Sequence, residues 1–158
     1  MSFKLGGTSM QHLVGVNVDL ARVVRRAIEL SEQDFTVFEG LRDAARQAEL
    51  YASGASQTLD SYHLPDERGV GHAVDLVPWI GGKPQWQDRP CVAIAKAVHR
   101  AAQMFDVPVT WGAVWDRELR ALDATDLEQE IEDYAHRYRT RTGKRAFIDR
   151  PHFQVPRT

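Results

Sequence analysis

The sequence predicts an α+β fold in which several helices pack on a small, antiparallel sheet. Apolar residues recur at helical spacing in three separate stretches. Short β-branched and aromatic runs lie between and after them. Polar, turn-rich segments divide the two kinds, as in domains whose helices cover one face of a sheet.

Asn17-Val-Asp-Leu20 opens the first helix, and Leu20, Val23, Val24, Ala27 and Ile28 fall at the i, i+3, i+4, i+7, i+8 positions of one buried face. Phe35-Thr-Val-Phe38 reads as a strand. Residues 42–53 read as a helix stopped by Gly54, and residues 57–70 as a loop. Residues 73–77 form a mostly apolar strand, followed by a turn at Ile80-Gly-Gly-Lys-Pro84. Cys91, Ile94, Ala95, Val98, Ala102 and Phe105 mark another amphipathic helix, and residues 107–111 the next strand. Thr125-Asp-Leu-Glu128 matches a capping box before the stripe Leu127, Ile131, Tyr134 and Tyr138, which ends near Gly143. Residues 146–148 and 152–155 read as strand ends around a turn at Asp149-Arg-Pro151.

A chain of 158 residues fits one domain, with room for a real core. At 43% hydrophobic and 27% charged residues, the balance is that of a soluble globular protein. The net charge of −2 gives no nucleic-acid footprint. The lone cysteine, Cys91, excludes an internal disulfide and a cysteine zinc cage, and its place on an apolar helix face makes it a small hydrophobe rather than a nucleophile. No apolar run approaches the roughly 18 residues of a membrane span. The first ten residues carry one lysine and no apolar block, so no signal peptide is expected.

The six histidines are His12, His63, His72, His99, His136 and His152. A hydrolytic zinc site takes three protein ligands and leaves a position open. No His-Glu-x-x-His helix is present, so ligands must come from separate segments. Asp75 sits inside an apolar strand, where a carboxylate needs a metal or a cation. Pro151 fixes the backbone before His152, and Asp149 stands close upstream. His12, His99 and His136 have no partner motif and read as structural. Trp79, Trp86, Trp111 and Trp115 read as core or cleft wall, and residues 128–133 as a solvated helix face.

Ser61-x-His63, Gly71-x-Ala73-x-Asp75 and Asp149-x-Pro151-His152-Phe153 together resemble the zinc D-Ala-D-Ala carboxypeptidase and L-alanyl-D-glutamate endopeptidase family, and within it the small phage endolysins. Gly40-Leu-Arg42 with Gln47, Leu50, Gly54 and Ser56, and Thr110-Trp-Gly112, fit the same pattern. The resemblance covers nearly the whole chain and implies a hedgehog/D-Ala-D-Ala-peptidase fold. It implies Zn2+ held by His63, Asp75 and His152. It makes Asp149 the general acid/base and Arg42 the cation that stabilises the oxyanion or binds a substrate carboxylate. Ser61 would orient His63; His72, Gln47, Ser56 and Trp111 would support the site or face substrate.

Two departures from the family pattern stand out. His63 precedes Asp75 by more than the usual spacing, as though residues 65–69 were inserted, and His72 competes as the first ligand. The Ser61 and Gly71-x-Ala73-x-Asp75 frame selects His63, and residues three apart on a strand face opposite sides, which counts against His72. The insertion carries Asp66 and Glu67, and fits either a mobile flap or a second cation site. Residues 113–145 also form a longer connection than the family pattern predicts, and their helix is expected to cover one side of the cleft.

The implied function is hydrolysis of a peptidoglycan stem-peptide bond, L-Ala–D-Glu first. D-Ala-D-Ala carboxypeptidase action, a non-catalytic zinc-bearing wall-binding module and a metal-free structural domain are the alternatives. A monomer accumulating in the host cytoplasm, reaching the wall through a lesion made by another protein, completes the expectation.

Overall fold

The computed structural model describes residues 2–157. Five strands make one sheet: β1 (Phe35–Glu39), β2 (Ala73–Ile80), β3 (Lys83–Pro84), β4 (Thr110–Trp111) and β5 (His152–Gln154). The order is β1-β2-β5-β4 with β3 beside β2, and every pairing is antiparallel. The fold is therefore the expected mixture of helices and a small antiparallel sheet.

Helix α1 (Gly7–His12) escaped the pattern because six residues carry too little periodicity. It covers the free edge of β1, whose exposed peptide groups need partners. The Ser9 hydroxyl accepts from Val37 N–H at 3.0 Å, and His12 Nδ1 donates to the Val37 carbonyl at 2.6 Å. Helix α2 (Val18–Leu30) starts where Asn17 predicts, with the Asn17 side chain accepting from the Asp19 and Leu20 amides. Its apolar face, Leu20 to Ile28, is buried against α4 (Asp88–Phe105), which buries Cys91, Ile94, Ala95, Val98 and Ala102.

Several boundaries differ from the sequence expectation for local reasons. β2 runs three residues further than residue 77, because Pro78 pairs with Phe35 and Trp79 with Pro84. Residues 107–109 lie outside the ladder, leaving β4 with Thr110 and Trp111 alone, and residues 146–148 form no strand. Helix α3 (Ala44–Ala52) is capped by Asp43, so Arg42 lies before the helix rather than in it. Helix α5 (Leu127–Thr142) is capped by Asp126, which accepts from Gln129 N–H; the Thr125 hydroxyl instead bonds back to Asp123. The cap thus shifts by one residue, and the reciprocal bond of a capping box is not made, because the Gln129 side chain donates to Asp133 and Asp126 N–H to the Asp123 carbonyl.

Strand alternation positions the site. Val74 and Leu76 point into the core and are fully buried, which turns Asp75 to the opposite face. A bulge between Val37 and Glu39 sets Glu39 opposite Asp75, and Asp75 in turn is the register partner of His152. Three adjacent strands thereby place a carboxylate, a carboxylate and an imidazole in one row.

Candidate active site

His63, Asp75 and His152 converge: one ligand atom from each lies within 4.8 Å of the others. Asp75 Oδ1 is 3.3 Å from His63 Nε2 and 3.3 Å from His152 Nδ1. The two imidazole rings stand edge to face at 5.1 Å. His63 and His152 are buried, and Asp75 is largely covered.

The remaining ring nitrogens are committed elsewhere, which fixes both tautomers. His63 Nδ1 donates to the Gly40 carbonyl at 2.8 Å, so Nε2 presents its lone pair to the cluster. His152 Nε2 donates to the Gln154 side-chain oxygen at 2.8 Å, so Nδ1 presents its own once it gives up the proton it shares with Asp75. Two imidazole lone pairs and a carboxylate oxygen, with the outer nitrogens already satisfied, form a donor set that fits a three-ligand metal site.

Asp75 Oδ2 faces away from the histidines, toward Arg42 Nη2 at 3.5 Å. Arg42 is buried and its other donors are engaged. Nε and Nη2 grip Glu39 at 2.7 and 2.8 Å, and Nη1 donates to Gln47 at 2.6 Å and Ser61 at 3.5 Å. The resemblance assigned Arg42 to an oxyanion or a substrate carboxylate. In the folded chain its Nε, Nη1 and Nη2 all donate to neighbouring side chains, and Nη2 also stands beside Asp75. Gln47, also buried, passes the network on to the Ser56 hydroxyl and the Thr58 carbonyl. The Ser61 hydroxyl accepts from His63 N–H at 3.1 Å, and the His63 carbonyl accepts from Arg42 N–H at 2.8 Å. The loop bearing His63 is thus tied to the segment bearing Arg42.

Asp149 sits on the floor of the same cleft, and among the described residues no group donates to its carboxylate. Its position comes from Trp111 and Gly112. Gly112 N–H donates to the His152 carbonyl at 2.7 Å, the Gly112 carbonyl accepts from Asp149 N–H at 2.8 Å, and Trp111 Nε1 donates to the Arg150 carbonyl at 2.7 Å. Trp111 is fully buried against Phe153 and does not reach the cleft, so it supports the Asp149–His152 turn instead of touching substrate. At Gly112 an added Cβ would lie 2.3 Å from the Asp149 carbonyl oxygen; only glycine permits that approach. Gly40 is equally tight, with the His12 carbonyl at 1.9 Å from such a Cβ.

His72 does not join the cluster. It is buried with Nε2 on Asp66 Oδ2 at 2.9 Å and Nδ1 beside the Asn17 amide at 3.3 Å. Asp66 also accepts from the Arg68 and Val70 amides, so the inserted segment's aspartate serves as a clasp for its own turn.

Charges in the cluster follow from burial and neighbours. Burial alone would raise Asp75; the adjacent His63 and His152 outweigh it and hold the carboxyl well below the usual range. Burial pushes His152 down, but its hydrogen bond to Asp75 and the Asp75 and Asp149 charges leave it raised. Burial, then the Asp75 charge, pushes the Asp149 carboxyl up, against the pull of His152, His63 and Arg42.

The triad opens on a cleft of about 660 Å³. Trp115 lies over His152 with ring centroids 5.3 Å apart and donates Nε1–H to the Phe147 carbonyl. Tyr134 and Tyr138 of α5 and Phe147 extend that wall. The opposite wall holds Phe38 and Trp86, which meet edge to face at 4.9 Å, with Arg46 and Leu50 from α3.

A sequence profile of the phage L-alanyl-D-glutamate peptidases matches residues 1–137. This chain belongs to that family. The L-alanyl-D-glutamate peptidase of Escherichia phage T5 is 38% identical over 120 residues, which cover 73% of this chain and 84% of the phage protein. The crystal structure of the L-Ala D-Glu endopeptidase ChiX of Serratia marcescens superposes with a TM-score of 0.67 at 34% identity, covering 98% of this chain and 91% of that one. The profile match ends inside α5, before Asp149 and His152; the likeness to the Serratia structure extends across nearly the whole chain.

Three cleft residues had no motif of their own in the sequence. Glu39 stands three before Arg42, Gln154 two after His152, and Trp115 follows the Trp-Gly segment closely. Of these Gln154 carried a signal: residues two apart on a strand share a face, so Gln154 was bound to stand beside His152.

Proposed function

We propose that this chain is a zinc-dependent endopeptidase that hydrolyses the L-Ala–D-Glu bond of the peptidoglycan stem peptide. One observation carries the reading: His63 Nε2 and His152 Nδ1, each freed by a committed partner nitrogen, flank Asp75 Oδ1 at 3.3 Å beside a carboxylate with no donor of its own. The family membership and the names of both relatives support the bond.

Zinc held by His63, Asp75 and His152 would supply Lewis acidity, polarising a carbonyl and lowering the pKa of water to about 7. His63 and His152 keep Asp75 ionised, and Arg42 stands beside its other carboxylate oxygen. Asp149 takes a proton from the attacking water as its oxygen bonds to the L-Ala carbonyl carbon. As the C–N bond breaks, the proton passes to the D-Glu nitrogen, leaving a free carboxylate and a free amine. Burial and the Asp75 charge raise the proton affinity of Asp149, which suits a group that must hold a proton between those steps.

Among the described residues no helix is long and apolar enough to cross a membrane. Delivery to the wall through a lesion made by another protein is part of the same reading.

Metal analysis of the purified protein should find one zinc per chain. Mass spectrometry of digested muropeptides should find products with a new D-Glu amino terminus. Release of free D-alanine would contradict the endopeptidase assignment. Asp149→Ala should retain zinc and lose wall lysis; lysis at the wild-type rate would remove Asp149 from the mechanism.

A further inference from the structure

Two arginines line the cleft, Arg42 and Arg46, and they differ in what remains free. Each Arg42 nitrogen already donates a hydrogen bond, to Glu39, Gln47 or Ser61, and Nη2 also stands at ion-pair distance from Asp75. Arg46, in the first turn of α3, is 48% exposed, and among the described residues its guanidinium makes no hydrogen bond. Its nearest carboxylates stand at ion-pair distance only, Glu39 Oε1 at 3.7 Å and Glu49 Oε2 at 3.6 Å. Glu39 is already gripped by two Arg42 nitrogens. Arg46 is therefore the cation in the cleft with donors to spare.

The opposite wall brings no charge. Trp115, Tyr134, Tyr138 and Phe147 line the cavity there, with no carboxylate and no cation among them. Aromatic rings line both sides of the cleft; the α3 side adds the guanidinium of Arg46 to Phe38 and Trp86, and the α5 side adds no charge.

The substrate has the same asymmetry. In the stem peptide the chain continues through the γ-carboxyl of D-Glu, so its α-carboxylate stays free and anionic next to the scissile bond. On the other side, L-Ala is joined by an amide to the lactyl group of a sugar, which is neutral there. A guanidinium with free donors matches a planar carboxylate in two parallel hydrogen bonds, and sugar faces pack on aromatic rings.

We propose that Arg46 binds the free α-carboxylate of the D-Glu residue, so that the acidic side of the substrate lies against α3 and its sugar side against the aromatic wall of α5. This assignment rests on the endopeptidase reading and makes Arg46 a specificity residue for that reaction.

The test uses the zinc-loaded protein and two soluble muramoyl peptides that differ only at D-Glu, one with the free α-carboxylate and one with an α-carboxamide. Wild type should prefer the free acid by about tenfold in kcat/KM, the order of one charge-assisted pair at a half-exposed site. R46Q should bring the ratio of the two close to one, mainly through KM, and R46K should keep part of the preference. Wild type cleaving both alike, or R46Q lowering both by the same factor, overturns the assignment. Cleavage of neither peptide by wild type sinks the endopeptidase reading, and this assignment with it.

Discussion

Asp75 and His152 are register partners on neighbouring antiparallel strands, 77 positions apart in sequence, with Oδ1 of one 3.3 Å from Nδ1 of the other. Two of the three candidate ligands are therefore placed by the sheet itself. A slip of one residue between β2 and β5 would put the two side chains on opposite faces of the sheet. His63 is placed differently, by a loop pinned through the Gly40 and Arg42 backbones. The ligand set combines two members fixed by the ladder with one fixed by hydrogen bonds.

Gln154 shares the face of His152 and holds its outer nitrogen. Gln154→Ala removes that acceptor and frees the imidazole to turn or change tautomer. Loss of such an outer partner costs about 10–100-fold in metal affinity. Competition against a chromophoric chelator should show zinc affinity falling by that factor, with Gln154→Glu, which keeps an acceptor, falling less. Equal affinity for wild type and Gln154→Ala would mean that His152 is oriented by something else.

Gly112→Ala sets a methyl group 2.3 Å from the Asp149 carbonyl and 2.9 Å from His152 Cβ, so the turn between them must move. Overpacking of this kind costs about 1–3 kcal/mol. A shift of about 1 Å at a catalytic group lowers turnover by about a hundredfold. The expected result is a modest fall in melting temperature with a disproportionate fall in kcat. A variant that keeps wild-type kcat would show that the Trp-Gly clamp does not set the position of Asp149.

Much of this site was legible in the sequence, and the parts that were not share a physical cause. Helices α2 and α4 announce themselves because their buried faces repeat at regular spacing. Asp75 is legible because a carboxylate in an apolar strand needs an explanation, and the motif frames pointed to His63 over His72. The short elements α1 and β4 carry too few residues for a period to show, and β4 exists only because β5 lies beside it. The occupation of Arg42 by Glu39 depends on a bulge in β1, a backbone event with no residue signature here. The clasp between Asp66 and His72 is likewise a matter of how the loop closes.

That clasp makes an acid-stability prediction. The Asp66 carboxyl is held well below its ordinary range, first by the hydrogen bond to His72, then by the Val70 and Arg68 amides. A carboxyl depressed by folding adds stability above its unfolded pKa of about 3.9, and that stability fades as the pH falls further. Asp66→Asn should therefore melt at lower temperature than wild type at pH 7, with the gap narrowing toward pH 3. Thermal melts across that range test it; a gap independent of pH would assign the effect to packing rather than charge.

The His152 shift has the opposite sign and concerns the metal. Burial would lower this imidazole, yet its hydrogen bond to Asp75 and the Asp75 and Asp149 charges leave it raised in the metal-free protein. A raised histidine contributes stability that is fully present below its unfolded pKa of about 6.5 and lost as the pH rises through the folded value. Zinc requires the same nitrogen without its proton. Binding near neutral pH should therefore release a proton, and affinity should fall as the solution is acidified below the raised pKa. The gain in melting temperature on adding zinc should grow from pH 5.5 to pH 8, because the metal-free form loses stability as the ligand set becomes ready to bind. Calorimetry in buffers of different ionisation enthalpy measures the proton directly. A binding enthalpy independent of buffer, with zinc affinity flat across that range, would show that His152 is already neutral before the metal arrives.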